Sequence, residues 1–390
     1  MIKNTKILFL SLAIAIILTS FSFATVANAT ILPQEFACEI SSPSAVLIDA
    51  NTGTVLYEKN AKEKKPVASM VKIMTLLLAF EEIEKGGLSF DENVIVSENA
   101  SSMGGSQAFL DSHAEYKVTE LLKAIVVASA NDACVAIAER ISGSVEGFVA
   151  KMNEKAKSLL MENTNFVNCT GLPMTNQYSC AYDASIMFRE LIKHEDYYNY
   201  SKIFTFDFQH PSGRKTMLTN TNKLVRAYEG CDGGKTGFTN EAMYCLSATA
   251  KRNGTRLISV ITGAETSKKR NAEICKLFDY GFANYETKQV VFKNIDCEEK
   301  LFVPNSREKF ATIKPKEDGF LLFRKGEDKT VSTKIEFCEN IKLPVCSGET
   351  VGKIKVVSGD KTVFECELLA SSDLNERGYM DVLGEMIEKW

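Results

Sequence analysis

The chain has 390 residues, of which 45% are hydrophobic and 25% charged, and its net charge is −4 at pH 7. This composition is ordinary for a soluble globular protein, and the length exceeds one compact domain, so we expect two folded domains. The slightly acidic balance lacks the concentrated basic face with which proteins bind nucleic acid, and that class of partner is excluded.

The first 29 residues have the pattern of a secretory signal peptide. Lys3 and Lys6 precede an apolar run from 7 to 18, and a stretch of small residues ends at Ala29. This order predicts export with cleavage after Ala29. An uncleaved anchor is the alternative, although the apolar run is shorter than the ~20 residues that cross a bilayer. In both cases we expect the bulk of the chain outside the cytoplasm.

Residues 30–286 alternate between strand-like and helix-like patterns, which predicts one α+β domain. The expected elements are, in chain order, a hairpin of 45–48 and 54–57, helices at 69–84, 118–141 and 146–161, a second hairpin of 243–250 and 256–262, and a helix at 267–285. Apolar residues recur at helical spacing in the helices, and each hairpin has a glycine at its turn. Ser129-Ala130-Asn131-Asp132 interrupts the helix at 118–141 with residues that favour turns and caps. The order predicts an antiparallel sheet flanked by helices, in a domain that closes near residue 286.

Residues 287–370 predict a small all-β C-terminal domain, because short apolar runs at 320–323, 341–345 and 363–369 are separated by Gly, Asp and Lys clusters. Residues 371–390 predict an amphipathic helix. One face of this helix carries Met380, Leu383, Met386, Ile387 and Trp390. Such a face contacts either a membrane or the rest of the protein, and acidic residues beside it argue against strong attraction to anionic lipid.

The eleven cysteines are scattered from Cys38 to Cys366, and their odd number leaves at least one unpaired in a monomer. Cys134 and Cys245 lie inside apolar runs, where cysteine packs as a small hydrophobe. We therefore favour core packing over a disulfide framework. A zinc site is less expected still, because none of the three histidines is spaced with a cysteine as structural ligands are.

The motif Ser-x-x-Lys occurs four times, at 69–72, 212–215, 306–309 and 358–361. Only Ser69–Lys72 opens a predicted helix, where the spacing stacks the lysine one turn above the serine on the same face. A serine hydroxyl becomes a nucleophile when a neighbouring base takes its proton, so Lys72 must be neutral when it acts. Burial and a second ammonium nearby would both lower its pKa. The backbone N–H of Ser69, at the helix N-terminus, can hold a developing oxyanion.

Two further motifs supply the groups that this pair lacks. Ser129-Ala130-Asn131 offers a hydroxyl to relay protons and an amide to hold a substrate, and Lys235-Thr236-Gly237 offers a cation for an anionic substrate end. In this order, behind a signal peptide, the three motifs resemble those of the penicillin-binding protein and serine β-lactamase superfamily. Within it the chain is similar to low-molecular-mass D-alanyl-D-alanine carboxypeptidases over about residues 44–285. Four stretches carry this similarity: Val67-Ala68-Ser69-Met70-Val71-Lys72, Ser129-Ala130-Asn131-Asp132, Asn168-Cys169-Thr170-Gly171-Leu172-Pro173 and Asp232-Gly233-Gly234-Lys235-Thr236-Gly237.

The resemblance implies a penicillin-binding transpeptidase/β-lactamase-like fold with a helical lobe, and removal of the terminal D-alanine from peptidoglycan stem peptides ending in D-Ala-D-Ala. It makes Ser69 the acyl-ester nucleophile, Lys72 its proton acceptor and Ser129 the relay toward the leaving group. β-Lactam antibiotics are expected to acylate Ser69. Neither a cofactor nor a metal is implied.

The resemblance also assigns the substrate-binding residues. Asn131 would bond the substrate amide, Lys235 and Thr236 the terminal carboxylate, and Gly237 would let the peptide approach as an added strand. The backbone N–H of Phe238 would complete the oxyanion hole. The family usually has histidine at position 238, and commonly proline or histidine where this chain has Cys169.

Two other functions are compatible with these motifs. A β-lactamase performs the same acylation but needs a glutamate-held water for deacylation, and Glu162 with Asn165 is the candidate pair, with a spacing that fits poorly. A non-catalytic wall-binding or β-lactam-sensing protein would keep the pocket without turnover, and it would need none of the base chemistry of Ser69, Lys72 and Lys235.

Overall fold

A computed structural model describes residues 39–327 and 330–388. The signal peptide predicted for residues 1–29 and its cleavage site lie outside the described residues. The strands are β1 (Ser44–Asp49), β2 (Val55–Lys59), β3 (Asn93–Ile95), β4 (Glu115–Lys117), β5 (Thr205–Gln209), β6 (Lys215–Thr219), β7 (Cys231–Thr239), β8 (Met243–Arg252), β9 (Thr255–Ala264), β10 (Tyr285–Val291), β11 (Leu301–Phe302), β12 (Phe310–Ala311), β13 (Ile313–Pro315), β14 (Gly319–Arg324), β15 (Ser332–Phe337), β16 (Thr350–Ser358) and β17 (Lys361–Ala370). The helices are α1 (Lys72–Glu84), α2 (Glu98–Ser101), α3 (Val118–Ala128), α4 (Asn131–Ser142), α5 (Val145–Ser158), α6 (Ala181–Leu191), α7 (Tyr197–Ser201), α8 (Leu224–Ala227), α9 (Ser267–Asn284) and α10 (Tyr379–Glu388).

The centre of the molecule is an antiparallel sheet with the strand order β2-β1-β9-β8-β7. The turn between β8 and β9 is Asn253-Gly254, and both residues have positive φ, as a two-residue type I′ turn requires. Side chains alternate between the two faces of β1: Ala45 and Leu47 pack with α9, whereas Val46 and Ile48 join the core formed with α1 and α6. The predicted hairpins and the predicted α+β class are confirmed.

A helical lobe lies on the face of the sheet from which Val46 and Ile48 project, and it contributes the rest of the core that they join. Helix α1 is buried along most of its length, and it contacts α3, α4, α5 and α6. The helix predicted at 118–141 is in fact two helices, α3 and α4, which are separated by Ser129 in the left-handed conformation (φ +63°). One expectation is corrected here: Ser69 lies in a 3-10 turn, Ala68–Val71, and the α-helix itself begins at Lys72.

The C-terminal part is built mainly of strands, as predicted, with a four-stranded sheet of order β13-β17-β16-β15 and a separate core. The run at 341–345 forms no strand. Only Val345 makes a bridge, with Leu374, because Pro344 has no N–H to donate to a ladder. Strand β10 follows α9 directly and pairs with β14.

Helix α10 is the amphipathic helix predicted for the tail. Its large apolar side chains are between 37% and 79% exposed, and they are Tyr379, Met380, Val382, Leu383, Met386 and Ile387. Most of this apolar face is therefore uncovered, although Asp381 of the same helix forms an ion pair with Arg307. Among the described residues, no helix combines the length and the apolar character needed to cross a membrane.

Candidate active site

Ser69 and Lys72 meet at the junction of the 3-10 turn and α1. The Nζ of Lys72 lies 3.0 Å from the Oγ of Ser69 and 2.5 Å from the carbonyl oxygen of Thr170. The Lys72 side chain is wholly buried, and this burial lowers its pKa from 10.5 to about 8. An amine with this pKa is partly neutral near pH 7, so Lys72 can accept the proton of the Ser69 hydroxyl.

Lys235 and Ser129 form a second buried amine–hydroxyl pair. The Nζ of Lys235 lies 2.8 Å from the Oγ of Ser129 and 2.9 Å from the carbonyl oxygen of Thr236. Burial, and after it the charge of Lys72, hold the pKa of Lys235 well below its usual value. The left-handed conformation of Ser129 ends α3 and places this hydroxyl beside the strand that carries Lys235.

Lys235, Thr236 and Gly237 lie on β7, the edge strand of the central sheet. One side of β7 pairs with β8, and an edge strand can accept an extended peptide on its other side. Gly237 also has a packing role that the sequence did not reveal. A Cβ at this position would lie 2.6 Å from the carbonyl oxygen of Val67 and 3.2 Å from the backbone nitrogen of Ser69, so glycine permits β7 to lie against the nucleophile's turn.

Asn131 opens α4 and contacts the loop 103–111. Its backbone N–H donates to the carbonyl of Ser106 over 2.7 Å, and its side-chain Nδ2 donates to the carbonyl of Gly104 over 2.6 Å. Its Oδ1 is buried and has no hydrogen-bond partner among the described residues. A buried acceptor in this condition is costly, and a substrate N–H can satisfy it.

The loop 165–178 supplies the carbonyl that holds Lys72. Asn168 Oδ1 accepts hydrogen bonds from the backbone N–H groups of Thr170 and Gly171, which closes the turn. The carbonyl of Cys169 accepts from Thr75 Oγ1 over 2.7 Å and from Cys134 Sγ over 3.1 Å. The side chains of Cys134 and Cys169 are both completely buried, in keeping with the expected packing role of cysteine.

A cavity of about 310 Å³ opens beside the nucleophile. Its lining includes the predicted residues Ser69, Ser129, Thr236, Gly237 and Phe238. The Phe238 ring is half exposed at the cavity and lies 4.4 Å, centroid to centroid, from the Tyr244 ring.

Arg270 of α9 is a cavity residue that the sequence analysis missed. It is only 5% exposed, and its guanidinium donates to the carbonyl of Cys245 and to the side-chain oxygen of Asn271. Burial lowers its pKa to about 10, so it remains a cation at neutral pH, and its hydrogen bonds among the described residues go to neutral oxygens. No motif marks this residue, because only the packing of α9 on β8 brings it to the cavity.

The competing sequence signals do not converge on this site. Ser212–Lys215 lies in the turn between β5 and β6, Ser306–Lys309 lies in a loop, and Ser358–Lys361 spans the turn between β16 and β17. Glu162 is an exposed residue after α5. Among residues 39–327 and 330–388, no group of three or more His, Cys, Asp or Glu side chains could hold a metal ion.

An antiparallel sheet with a helical lobe, a serine in contact with a buried lysine and a cationic edge strand together define a serine acyl-transfer enzyme of the Ser-x-x-Lys type. Comparison with known proteins specifies the family. Residues 25–266 match the family described as D-alanyl-D-alanine carboxypeptidase, and residues 285–376 match the C-terminal domain of penicillin-binding protein 5.

Curated relatives and solved structures agree with this match. The chain is 42% identical over 348 residues to D-alanyl-D-alanine carboxypeptidase DacF of Bacillus subtilis, covering 89% of each chain. It is 32% identical to D-alanyl-D-alanine carboxypeptidase DacA of Haemophilus influenzae, covering 99% of this chain and 97% of that one. The crystal structure of penicillin binding protein 5 from Haemophilus influenzae superposes with a TM-score of 0.71 at 31% identity, covering 87% of this chain and 99% of that one.

The chain therefore belongs to the D-alanyl-D-alanine carboxypeptidase family of penicillin-binding proteins. It is a serine-type carboxypeptidase, a hydrolase, and the expected fold class is confirmed. The β-lactamase and the non-catalytic sensor considered from the sequence are not favoured, because the similarity extends over nearly the whole chain to carboxypeptidases.

Proposed function

We propose that the enzyme removes the terminal D-alanine from peptidoglycan stem peptides through an acyl-enzyme on Ser69. The observation that carries the proposal is the 3.0 Å contact between the Ser69 hydroxyl and a fully buried lysine amine whose pKa is lowered to about 8. A weak nucleophile thereby has a competent base within hydrogen-bond reach.

In the acylation step, the Oγ of Ser69 attacks the carbonyl carbon of the penultimate D-alanine while Lys72 accepts the hydroxyl proton. The negative charge that develops on the carbonyl oxygen is held by the backbone N–H groups of Ser69 and Phe238. The hydroxyl of Ser129 passes a proton to the departing amine, and D-alanine leaves. The contact of Ser129 with Lys235 supports this role, because it fixes the position of the hydroxyl that gives the proton.

Water then attacks the ester carbonyl, Lys72 again takes the proton, and the shortened peptide leaves Ser69 regenerated. The proton balance closes because the proton that Lys72 takes from Ser69 replaces the one that Ser129 gives to D-alanine, and the proton that Lys72 takes from water returns to the Ser69 oxygen. No group outside the chain and water is needed.

The enzyme recognises two parts of the substrate, its terminal carboxylate and its peptide backbone. Lys235 and Thr236 bind the terminal carboxylate, and Arg270, a cation that lines the same cavity as Thr236, adds a third group. The Oδ1 of Asn131 accepts from the substrate amide, which the missing partner of this buried atom supports. The free edge of β7 receives the peptide as an added strand, next to Gly237.

The substrate places the enzyme outside the cytoplasm, and the leader of residues 1–29 accounts for its export. Helix α10 supplies a peripheral membrane contact, because its apolar side chains are exposed. This contact brings the enzyme to the outer face of the membrane, near newly made cell wall.

Mass spectrometry of the purified protein after incubation with penicillin tests the proposal. We expect one adduct per chain, on the peptide that contains Ser69, and release of D-alanine from a D-Ala-D-Ala peptide. Ser69→Ala should lose both activities. Ser358→Ala, which changes the serine of another Ser-x-x-Lys motif, should keep both. An adduct on a different residue, or D-alanine release by Ser69→Ala, would overturn the proposed nucleophile.

A further inference from the structure

The loop 103–111 contacts Asn131 and contributes one residue to the lining of the cavity. Ser106 of this loop lines the cavity, and the carbonyls of Gly104 and Ser106 hold the side chain and the backbone of Asn131. Gly105 has φ +80°, and a Cβ there would lie 2.8 Å from the Asn131 Nδ2. The direction of the Asn131 amide therefore depends on where this loop lies.

The inner side of the loop is anchored by a buried carboxylate. Asp132, next to Asn131 on α4, accepts hydrogen bonds from the backbone N–H groups of Ala108 and Leu110 over 3.0 to 3.1 Å. Between these two residues, Phe109 has φ +62°, a conformation that a non-glycine residue adopts only when its surroundings impose it.

Arg214 holds the Phe109 carbonyl from the outer side. Its Nη2 donates to the carbonyl of Phe109 over 2.5 Å and to Asp111 Oδ1 over 2.9 Å. Ser212, in the same turn, donates its hydroxyl to Asp111 Oδ2 over 3.0 Å. Two side chains from the turn between β5 and β6 thus form hydrogen bonds to the C-terminal end of the loop 103–111.

The β5–β6 hairpin is itself fixed against the lobe by His210. The His210 ring is buried, with Nδ1 3.0 Å from the Tyr116 hydroxyl and 3.1 Å from Arg214 Nη2, and Nε2 2.8 Å from Thr216 Oγ1. Tyr116 closes the network, because its hydroxyl accepts from the backbone N–H of Asp111 over 3.0 Å. The hairpin that carries Arg214 is thus hydrogen-bonded to the lobe next to the loop.

We propose that Arg214 is a positioning residue for the carboxypeptidase reaction, which orients Asn131 for the substrate amide by holding Phe109 and Asp111 of the loop 103–111. It touches neither the cavity nor the proposed catalytic groups. The inference rests on the proposed role of Asn131 in substrate binding. The expected consequence is a change in substrate affinity, because a loosened loop misdirects one binding hydrogen bond and leaves Ser69 and Lys72 in place.

The test compares Arg214→Ala with Arg140→Ala in the full chain. Arg140 is a matched control: its side chain is 37% exposed against 42% for Arg214, and it also contacts one carboxylate, Glu92, and one carbonyl, Gly87. We expect Arg214→Ala to raise the KM for a D-Ala-D-Ala peptide roughly three- to tenfold, the worth of one hydrogen bond, with kcat little changed. Arg140→Ala should change neither constant, and both variants should have similar melting temperatures.

A double-mutant cycle with Asn131→Ala distinguishes the positioning role of Arg214 from the substrate-binding role of Asn131. If Arg214 acts through Asn131, its substitution raises KM in the wild-type background and has no further effect in Asn131→Ala. Fully additive effects, or an unchanged KM in Arg214→Ala, would overturn the positioning role. An unchanged KM in Asn131→Ala alone would instead refute the proposed function of Asn131. Arg214→Lys, which can keep one of the two loop contacts, should give an intermediate KM.

Discussion

At the scale of single residues, the two buried amines of the site differ in what surrounds them. Lys72 contacts the Ser69 hydroxyl and the carbonyl of Thr170. Lys235 contacts the Ser129 hydroxyl and the carbonyl of Thr236. Neither has a carboxylate as a hydrogen-bonded partner among the described residues, so burial dominates and the pKa of each is lowered. The lowered pKa suits Lys72 to the proposed role of base, although a lysine is ordinarily a cation.

The pKa of Lys72 predicts the pH dependence of acylation. Only the neutral amine accepts a proton, and the neutral fraction grows as the pH rises through about 8. The second-order rate constant for acylation by a fluorescent penicillin should therefore increase from pH 6 to pH 9, with its midpoint near pH 8, and then level off. Stopped-flow measurement across this range checks the prediction.

Lys235→Arg is the control for assigning this increase in the rate constant to Lys72. It keeps a charged group on β7 but removes the second amine whose pKa burial lowers, so a rise in rate that belongs to Lys72 should survive with a lower amplitude. Two results would contradict the assignment to Lys72: a rate constant that is independent of pH between 6 and 9, or a rise with pH that is absent in Lys235→Arg.

At the scale of the elements, the site depends on how closely the loop 165–178 lies against the 3-10 turn. Gly171 has φ +85°, and a Cβ at this position would lie 2.1 Å from the carbonyl oxygen of Ala68 and 2.9 Å from the Ser69 nitrogen. Ala68 itself has φ +48°. Two unusual backbone conformations therefore face each other beside the nucleophile.

Gly171→Ala should consequently impair both stability and acylation. We expect a loss of about 2–4 kcal/mol in the free energy of unfolding, from a positive φ combined with a backbone clash. The turn can relieve this clash only by moving Ser69, so the acylation rate should fall as well. Urea unfolding and penicillin acylation measure the two effects.

Gly143→Ala provides the comparison, because Gly143 has a similar φ of +74° but no atom within 4 Å of its Cβ position. Its cost should be only about 1 kcal/mol, from the conformation alone, with normal acylation. Equal costs for the two variants would show that the contact with the 3-10 turn is unimportant.

The same scale explains which elements the sequence could predict. Strands β8 and β9 and helix α9 carry long periodic patterns, and Asn253-Gly254 marks the turn, so they were predicted nearly to the residue. Strands β3 to β6 were not predicted, because they have three to five residues each and bury only alternate side chains. The start of α1 was misplaced by three residues, since a 3-10 turn and an α-helix share the same residue preferences.

The site followed a similar division. Ser69, Lys72, Ser129, Asn131, Lys235, Thr236 and Gly237 belong to motifs whose chemistry can be read along the chain. Arg270 and Arg214 could not be found in this way, because each contacts a segment that is remote in sequence. Arg214 reaches Phe109 over 105 positions, and no local pattern records such a contact.

At the scale of the whole molecule, the carboxypeptidase part and the strand-rich C-terminal part differ in what their surfaces offer. The cavity and all the proposed catalytic groups lie between residues 69 and 271. The exposed apolar face belongs to α10, at the other end of the chain. The division into domains at 30–286 and 287–370 stays a prediction, which the continuous path from α9 into β10 does not test.

Separation of the two surfaces predicts that catalysis and membrane contact can be lost independently. A chain that ends after Gly378 lacks α10, and its kcat/KM on a soluble D-Ala-D-Ala peptide should equal that of the longer chain, because α10 contributes nothing to the cavity. Its sedimentation with phospholipid vesicles should disappear.

Within α10, Met386→Glu exchanges an exposed apolar side chain for a charged one and should weaken vesicle binding about tenfold or more, since burial of a methionine side chain contributes about 1.5–3 kcal/mol. Asp381→Asn is the control at a polar position of the same helix and should bind vesicles at least as well as the unchanged chain. Equal sedimentation of the full and shortened chains would refute the membrane contact, and a fall in kcat/KM on truncation would show that the two surfaces are coupled.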